Sequence, residues 1–351
     1  MRVKAALLST VLREPEGLAG LSLAAWDILL PQARRAGLVA RLAWITESRG
    51  FEIPSGPREY LDGARAQAAR QNQALHYEIQ RIQAALDGID APVILLKGAA
   101  YAMAGLPPAQ GRMFSDIDVL VPIHALDAIE TALRYFGWAS AHQSPYDQRY
   151  YRKWMHEVPP LQHVKRQSVI DLHHAILPLT ARLNTNPAPL FTAARALAAL
   201  PRFLVLAPAD MVLHSATHLF HEGEFDRGLR DLVDLDALFR HFATAPDFWD
   251  ELAQRARQLN LDRPLFYAMR YCRAVLRTPT PESMDGFGRP PLPRAMDALF
   301  GRALAPNHPS CDDALSTLAR KLLYVRGHWL RMPLHLLIPH LAHKAFVRDE
   351  A

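Results

Sequence analysis

Two aspartates lie two positions apart within the apolar segment 114–121, Phe-Ser-Asp-Ile-Asp-Val-Leu-Val. On a β-strand, side chains two positions apart share a face, so Asp116 and Asp118 would project side by side while Ile117 and Val119 enter the core. Carboxylates held this close repel and raise each other's pKa, which a divalent cation relieves. Mg²⁺ and Mn²⁺ prefer such oxygen ligands. The pair therefore predicts a metal site of the kind that serves phosphoryl or nucleotidyl transfer.

A third carboxylate stands in a second apolar segment downstream, Val169-Ile-Asp-Leu-His173. An aspartate inside a buried strand is costly unless it is paired or bound to a metal. We therefore expect Asp171 to share one site with Asp116 and Asp118. A helix cap or an ordinary salt bridge is the alternative role for Asp171.

A possible phosphate-binding turn precedes the aspartate pair. The apolar strand predicted at 91–96 gives way to Lys97 and Gly98, which open a helix. Glycine lets the backbone approach a phosphate closely, and a helix N-terminus favours an anion. Lys97 and Arg112 would add positive charge, although Arg112 is equally suited to a salt bridge within its loop. Ser115 completes the predicted nucleotide-binding residues.

Taken together, these motifs resemble those of the polymerase-β-like nucleotidyltransferase superfamily, and more narrowly its uncharacterised bacterial branch. The resemblance covers roughly residues 20 to 340. The segments that carry it are Leu95-Leu-Lys-Gly98, Arg112, Ser115-Asp-Ile-Asp-Val-Leu-Val121, Val169-Ile-Asp-Leu-His173, Leu213-His-Ser-Ala-Thr-His-Leu-Phe-His221 and Leu229-Arg-Asp-Leu-Val-Asp-Leu235.

The resemblance implies a small mixed sheet flanked by helices, with two Mg²⁺ ions held by Asp116, Asp118 and Asp171. It further implies transfer of a nucleoside monophosphate from an NTP to an acceptor. One departure concerns the phosphate turn, where the superfamily usually carries Gly-Ser or Gly-Gly. Here the turn is Lys97-Gly98-Ala99, so phosphate binding would depend on Lys97, backbone amides and Arg112.

Three histidines suggest a different chemistry. His214, His218 and His221 follow one face of a predicted helix, a spacing that can ligate zinc, and His173–His174 and Asp231–Asp236 would offer further ligands. The alternatives are a helix–helix interface, in which the histidines hydrogen-bond to carboxylates, and a helix that faces the catalytic cleft. In the last case His218, and with it His173, would lie on the acceptor side.

Composition and charge limit the partners and the compartment. Of the 351 residues, 50% are hydrophobic, and the net charge of +5 fits a polyanionic ligand such as a nucleotide. Because the basic residues are dispersed, they do not favour a nucleic-acid partner. Cys272 and Cys311 have no metal-ligand spacing and are typical of thiols in a reducing cytoplasm. No stretch is apolar enough to span a bilayer, and the N-terminus predicts an amphipathic helix rather than a secretory leader.

The periodicity of apolar residues divides the chain into three parts. Residues 1–87 predict a helical region, 88–178 a nucleotidyltransferase core with a mixed sheet, and 179–351 a C-terminal helical domain. Within the core, 157–165 and 168–174 predict a hairpin turned at Arg166-Gln167. The predicted fold class is therefore α+β, a small mixed-sheet core between two helical regions.

We therefore predict a Mg²⁺-dependent nucleotidyltransferase that acts on a hydroxyl group of a small molecule or a protein. One alternative is a non-catalytic nucleotide-binding module, which the missing serine at the turn favours. The other is a His/Asp metal hydrolase built on the three helical histidines. The sequence leaves the acceptor, the NTP and the oligomeric state open.

Overall fold

A computed structural model describes residues 6–140, 144–183 and 185–337 of the chain. These residues form a mixed seven-stranded sheet in the order β3-β4-β5-β2-β1-β7-β6. The strands are β1 Val93–Leu95, β2 Ile117–Leu120, β3 Trp138–Ser140, β4 Leu161–His163, β5 Val169–His173, β6 Arg195–Leu197 and β7 Leu200–Val205.

The register of the central strands decides where the acidic residues lie. Strand β1 runs antiparallel to β2 and parallel to β7. Strands β2 and β5 are parallel, and Asp118 pairs with Asp171 across them. The three residues of β1 are completely buried, as their unbroken apolar run predicts for a central strand.

Helices surround this sheet, and the N-terminal ones include a 31-residue helix, α4. Their bounds are α1 Leu7–Arg13, α2 Leu23–Ala36, α3 Val39–Ser48, α4 Ser55–Ala85, α5 Lys97–Met103, α6 Leu126–Tyr135, α7 Pro145–Trp154, α8 Ala188–Ala193, α9 Pro208–His221, α10 Gly228–Phe242, α11 Phe248–Gln258, α12 Asp262–Leu276, α13 Pro293–Ala303 and α14 Ser316–Arg331. None of the helices in this part of the chain combines the length and the apolar character that a membrane crossing requires.

Helix α9 forms the centre of the C-terminal helical region. It is buried along nearly its whole length and packs against α10, α11, α12 and α14. A helix that is enclosed on all sides must satisfy its polar side chains internally. Asp210 does so through two hydrogen bonds of 2.7 and 2.8 Å from the guanidinium of Arg255. Helix α9 begins at Pro208, so Asp210 lies within its first turn.

The predicted α+β fold class is confirmed, and so are the helical character of the N-terminal region and the hairpin of β4 with β5. The hairpin turns at Gln167, whose φ is 61°. The first five residues of the predicted N-terminal helix lie outside the described part of the chain.

The expectation that residues 179–351 are helical does not hold for 195–205. Strands β6 and β7 form a second hairpin there, and β7 adds to the sheet beside β1. The segment is short, rich in alanine and contains Pro201, so its strand signal is weak. Its pairing with β1 arises from tertiary contact, and Arg202 secures it by donating to the carbonyls of Ala91 and Ile89 at 2.8 and 2.9 Å.

Candidate active site

The centre of the candidate site is the pair Asp118 and Asp171 on neighbouring parallel strands. Because β2 and β5 are in register at these residues, their backbones lie about 4.8 Å apart and their side chains share a face. Asp171 Oδ1 is buried and accepts no hydrogen bond from the described residues. A buried carboxylate oxygen without a partner is unfavourable, which makes this atom a natural contact for a bound cation.

Asp118 carries two contacts on a single oxygen. Lys97 Nζ lies 3.2 Å and His173 Nε2 lies 3.1 Å from Asp118 Oδ1. Burial alone would raise the pKa of Asp118, but the charge of Lys97 and the hydrogen bond from His173 outweigh it and hold the pKa well below its usual range. Asp118 is therefore ionised at neutral pH.

The neighbouring carboxyl behaves in the opposite way. Burial, followed by the negative charge of Asp118, raises the pKa of Asp171 to about 7. Asp171 thus takes up a proton near neutral pH unless a cation compensates its charge. Two carboxyl groups with separated pKa values, one fixed as an anion and one close to titration, are typical of sites that transfer protons.

Asp116 is placed differently from the expectation. Strand β2 begins at Ile117, so Asp116 precedes it, is exposed and accepts a hydrogen bond of 2.8 Å from the hydroxyl of Ser115. Its charge still contributes to raising the pKa of Asp171. The oxygen atoms of the three carboxylates are not all within 4.8 Å of one another. Among the described residues, a different group of side chains meets that spacing.

The turn at Lys97 and Gly98 is tightly constrained. Lys97 has a φ of 43°, in the left-handed region that costs a lysine about 1 kcal/mol or more. A Cβ on Gly98 would lie 3.1 Å from Arg112 Nε and 3.2 Å from the Phe114 ring. Burial would lower the pKa of Lys97, but the charge of Asp118 outweighs it and raises that pKa, so the ammonium remains charged beside Asp118.

Arg112 forms a salt bridge, although with a distant helix and not within its own loop. It is paired with Asp234 of α10, and its guanidinium lies 5.6 Å from the centre of the Tyr101 ring. Burial lowers the pKa of Arg112 to about 10. The Tyr101 hydroxyl in turn shares a hydrogen bond of 2.6 Å with Ser215 of α9. Arg112 therefore lies behind Gly98 as a link between the core and the C-terminal helices.

Helix α9 brings two histidines towards the carboxylates, but its three histidines do not converge on one point. Burial and then the charge of Lys97 lower the pKa of His214 to about 3, and the same two causes lower the pKa of His218. His218 Nε2 lies 3.1 Å from Glu222 Oε2. His221 is buried at a distance from this group, and burial together with Arg326 lowers its pKa to about 4. A zinc site of these three histidines is thus not formed.

Sequence reasoning missed two residues that the fold places against His173, the histidine that contacts Asp118. Glu157 Oε2 lies 3.2 Å from Nδ1 of His173, and the ring of His156 stacks on that of His173 with centroids 5.2 Å apart. The predicted hairpin of 157–165 with 168–174 carried a signal for this, because it places Glu157 opposite the end of β5. The position of His156 had no comparable signal in the sequence.

Comparisons with known proteins identify a family for this arrangement. A family model described as an uncharacterised nucleotidyltransferase matches residues 22–277, a range that contains all the site residues described above. Among solved structures, an antigenic nucleotidyltransferase-like protein from Paracoccidioides brasiliensis matches at 14% identity. That match covers 59% of this chain and 96% of the other, with a TM-score of 0.31. No curated protein matches the chain.

Proposed function

Because this chain belongs to the family of uncharacterised nucleotidyltransferases, we propose that it transfers a nucleoside monophosphate from an NTP to a hydroxyl acceptor, assisted by Mg²⁺ or Mn²⁺. Family membership supports the general role in nucleotidyl transfer. The observation that carries the more specific proposal is the register of β2 and β5, which pairs the ionised Asp118 with Asp171.

The residues present suit a hard divalent cation. Asp171 Oδ1 is buried without a partner, and the repulsion from Asp118 that raises its pKa is the interaction that a cation would remove. Asp116 offers a third, exposed carboxylate at the rim. Bound ions would neutralise charge that develops on the α-phosphate and on the leaving pyrophosphate.

Asp171 is the proposed general base. The acceptor hydroxyl oxygen bonds to the α-phosphorus, the bond from that phosphorus to the oxygen bridging it to the β-phosphate breaks, and pyrophosphate leaves. The hydroxyl proton passes to the carboxylate of Asp171, whose buried Oδ1 has no partner among the described residues and can accept it. Asp118, held as an anion by Lys97 and His173, would serve as a ligand of the cation.

The nucleotide would lie against the turn between β1 and α5. Lys97 can exchange Asp118 for a phosphate oxygen, and Gly98, having no side chain, lets Arg112 and Phe114 pack closely behind this turn. Ser115 adds a hydroxyl beside Asp116. Arg112 would contribute a long-range positive charge from behind Gly98, because its guanidinium is paired with Asp234.

The acceptor would lie towards α9. His218 has a lowered pKa and is neutral at pH 7, so one of its ring nitrogens can accept a hydrogen bond from a hydroxyl group. Glu222 lies beside it, and burial raises the pKa of Glu222 to about 7. His173, at the end of β5, would lie on the same side, where it contacts Asp118.

A second candidate is nucleotide binding without turnover. Both cationic contacts of Asp118 fall on the same oxygen, which partly neutralises it without a metal. The turn Lys97-Gly98-Ala99 also lacks a hydroxyl group for the triphosphate. Both observations favour a pocket that binds a nucleotide without transferring it.

Label transfer tests the two candidates. Each α-labelled NTP is incubated with the protein, Mg²⁺ or Mn²⁺ and a cell extract, and label is followed into proteins and into small molecules. We expect Asp118→Asn to lower transfer about 100-fold or more, because a misplaced metal forfeits several kcal/mol of transition-state stabilisation.

The exposed Asp90 provides the matched control, and Asp90→Asn should transfer label at the wild-type rate. Transfer that persists in Asp118→Asn would contradict the mechanism. Binding of a fluorescent NTP by the wild type, with no transfer above that of Asp118→Asn, would favour the second candidate.

A further inference from the structure

His156, Glu157 and His173 form a compact group that nucleotidyl transfer does not require. One ring nitrogen from each histidine and one carboxylate oxygen of Glu157 all lie within 4.8 Å of one another. Among the described residues this is the only set of histidine, cysteine or acidic side chains that meets this spacing. The group lies where the segment before β4 meets the end of β5.

The backbone holds this group in place. The amide of His174 donates to the carbonyl of His156 at 2.8 Å, and the amide of Val158 donates to the carbonyl of Leu172 at 3.0 Å. Glu157 and His173 form a β-bridge between these bonds. The three side chains are therefore fixed relative to each other before any ligand binds, which lowers the entropic cost of binding.

His156 is buried, and its Nδ1 has no hydrogen-bonding partner among the described residues. It is 7% exposed, and His173 is 5% exposed. Nδ1 of His156 is inaccessible to solvent and contacts no donor or acceptor among the described residues, while its ring stacks on that of His173. A buried ring nitrogen in this state is unfavourable unless it binds a ligand.

The contacts of His173 show which of its nitrogens faces the group. The carboxylate of Asp118 can only accept, so His173 Nε2 donates to it across 3.1 Å. The other nitrogen, Nδ1, lies 3.2 Å from the carboxylate oxygen of Glu157. Burial lowers the pKa of His173, but the hydrogen bond to Asp118 and the charge of Glu157 outweigh it and raise that pKa, so a metal ion would bind here by displacing the proton of Nδ1.

We propose that His156, Glu157 and His173 bind one transition-metal ion, zinc or a metal of similar preference, at a site separate from that of the aspartates. Two imidazoles and one carboxylate form a recognised ligand set for zinc with an open fourth position, whereas Mg²⁺ prefers oxygen ligands alone. Asp118 would hold the ring of His173, as carboxylates commonly support metal-bound histidines. The proposal does not depend on nucleotidyl transfer.

Cobalt binding tests the site directly. The full-length protein is stripped with a chelator and titrated with Co²⁺ in the presence of excess Mg²⁺, and visible absorption is recorded. We expect one equivalent of Co²⁺ with the absorption of a low-coordinate nitrogen and oxygen site, displaced by one equivalent of Zn²⁺. His156→Ala and Glu157→Gln should each weaken binding by at least about 10–100-fold, the cost of losing even a supporting residue.

His174 provides the matched control, because it is a buried neighbour that lies outside the group. His174→Ala should bind Co²⁺ as the wild type does, and circular dichroism confirms that each variant is folded. Asp171→Asn should keep Co²⁺ binding while losing label transfer, so the two sites fail independently. Absence of Co²⁺ absorption in the wild type, or equal affinity in folded Glu157→Gln, overturns the proposal.

Discussion

At the scale of single residues, the site depends on an asymmetry between two adjacent carboxyl groups. Lys97 and His173 both contact Asp118, whereas Asp171 Oδ1 has no partner among the described residues. The pKa of one group is lowered and that of the other is raised to about 7. This difference makes Asp171 the residue at which pH, metal binding and stability are coupled.

The raised pKa of Asp171 predicts a pH-dependent stability with a definite sign. Because its pKa rises from 3.8 in the unfolded chain to about 7 in the fold, the folded protein binds more protons between these values. The contribution of Asp171 to stability without metal should therefore fall as pH rises from about 4 to 7 and remain low above it. Glu222 contributes in the same direction, whereas His214 and His221, whose pKa values are lowered, contribute in the opposite direction. The quantity to measure is therefore the melting-temperature difference between wild type and Asp171→Asn.

Added Mg²⁺ or Mn²⁺ should counteract this loss. Below pH 7 the cation must displace a proton from Asp171, so its apparent affinity should rise by up to about tenfold per pH unit and level off above pH 7. Titrations followed by thermal shift at pH 5.5 to 8.5 measure this, with Asp171→Asn as the reference. A wild-type affinity that does not change with pH would show that Asp171 is not a ligand.

At the scale of elements, local pattern predicted the strands of the site well. The apolar alternation around Asp118 and Asp171 was sufficient to place both on β-strands, and the structure shows that these two strands pair in parallel. Contacts between distant segments were not available from pattern. Strand β7 is defined by pairing with β1, the salt bridge of Arg112 requires α10, and His156 reaches His173 only after the chain has folded.

The junction of α9 with α14 is another element-scale feature that only the structure reveals. A Cβ on Gly327 of α14 would lie 2.4 Å from the carbonyl oxygen of Glu222 and 2.9 Å from Cα of Gly223. The two backbones thus meet without side chains between them. Because Glu222 pairs with His218, this contact also positions the end of α9 that faces the site.

Gly327→Ala should therefore separate α14 from α9. We expect destabilisation of about 1–3 kcal/mol from overpacking, together with lower label transfer because Glu222 and His218 shift. Gly63→Ala is the control, since Gly63 lies within α4 and a Cβ there meets nothing within 4 Å. That variant should be more stable than the wild type by about 0.5–1 kcal/mol. Equal melting temperatures for the two variants would contradict a backbone contact at this junction.

At the scale of the whole molecule, one buried carboxylate joins the three parts that the sequence suggested. Asp234 of α10 pairs with Arg112 from the segment before β2 and lies 3.9 Å from a guanidinium nitrogen of Arg41 in α3. Arg41 also donates to the carbonyls of Pro107 and Pro108 at 3.1 and 2.7 Å. The N-terminal helices, the sheet and the C-terminal helices therefore meet at a single cluster of charges.

Removing the shared carboxylate should disturb stability and activity together. Side chains of Arg112 and Asp234 are only 9% and 6% exposed, so Asp234→Ala leaves buried guanidinium groups uncompensated, at a cost of about 3–5 kcal/mol. Because Arg112 Nε lies 3.1 Å from the position of a Cβ on Gly98, its displacement should also weaken NTP binding. Chemical denaturation and fluorescent-nucleotide titration measure the two effects.

Asp27→Ala separates the loss of this buried carboxylate from the loss of any acidic side chain on a helix. Asp27 lies on α2 and is exposed, where a substitution usually changes stability by less than about 0.5 kcal/mol. We therefore expect Asp27→Ala to lose little stability and to bind NTP as the wild type does. If both variants lose stability equally, Asp234 is an ordinary salt-bridge partner and the three parts are held together by apolar packing alone.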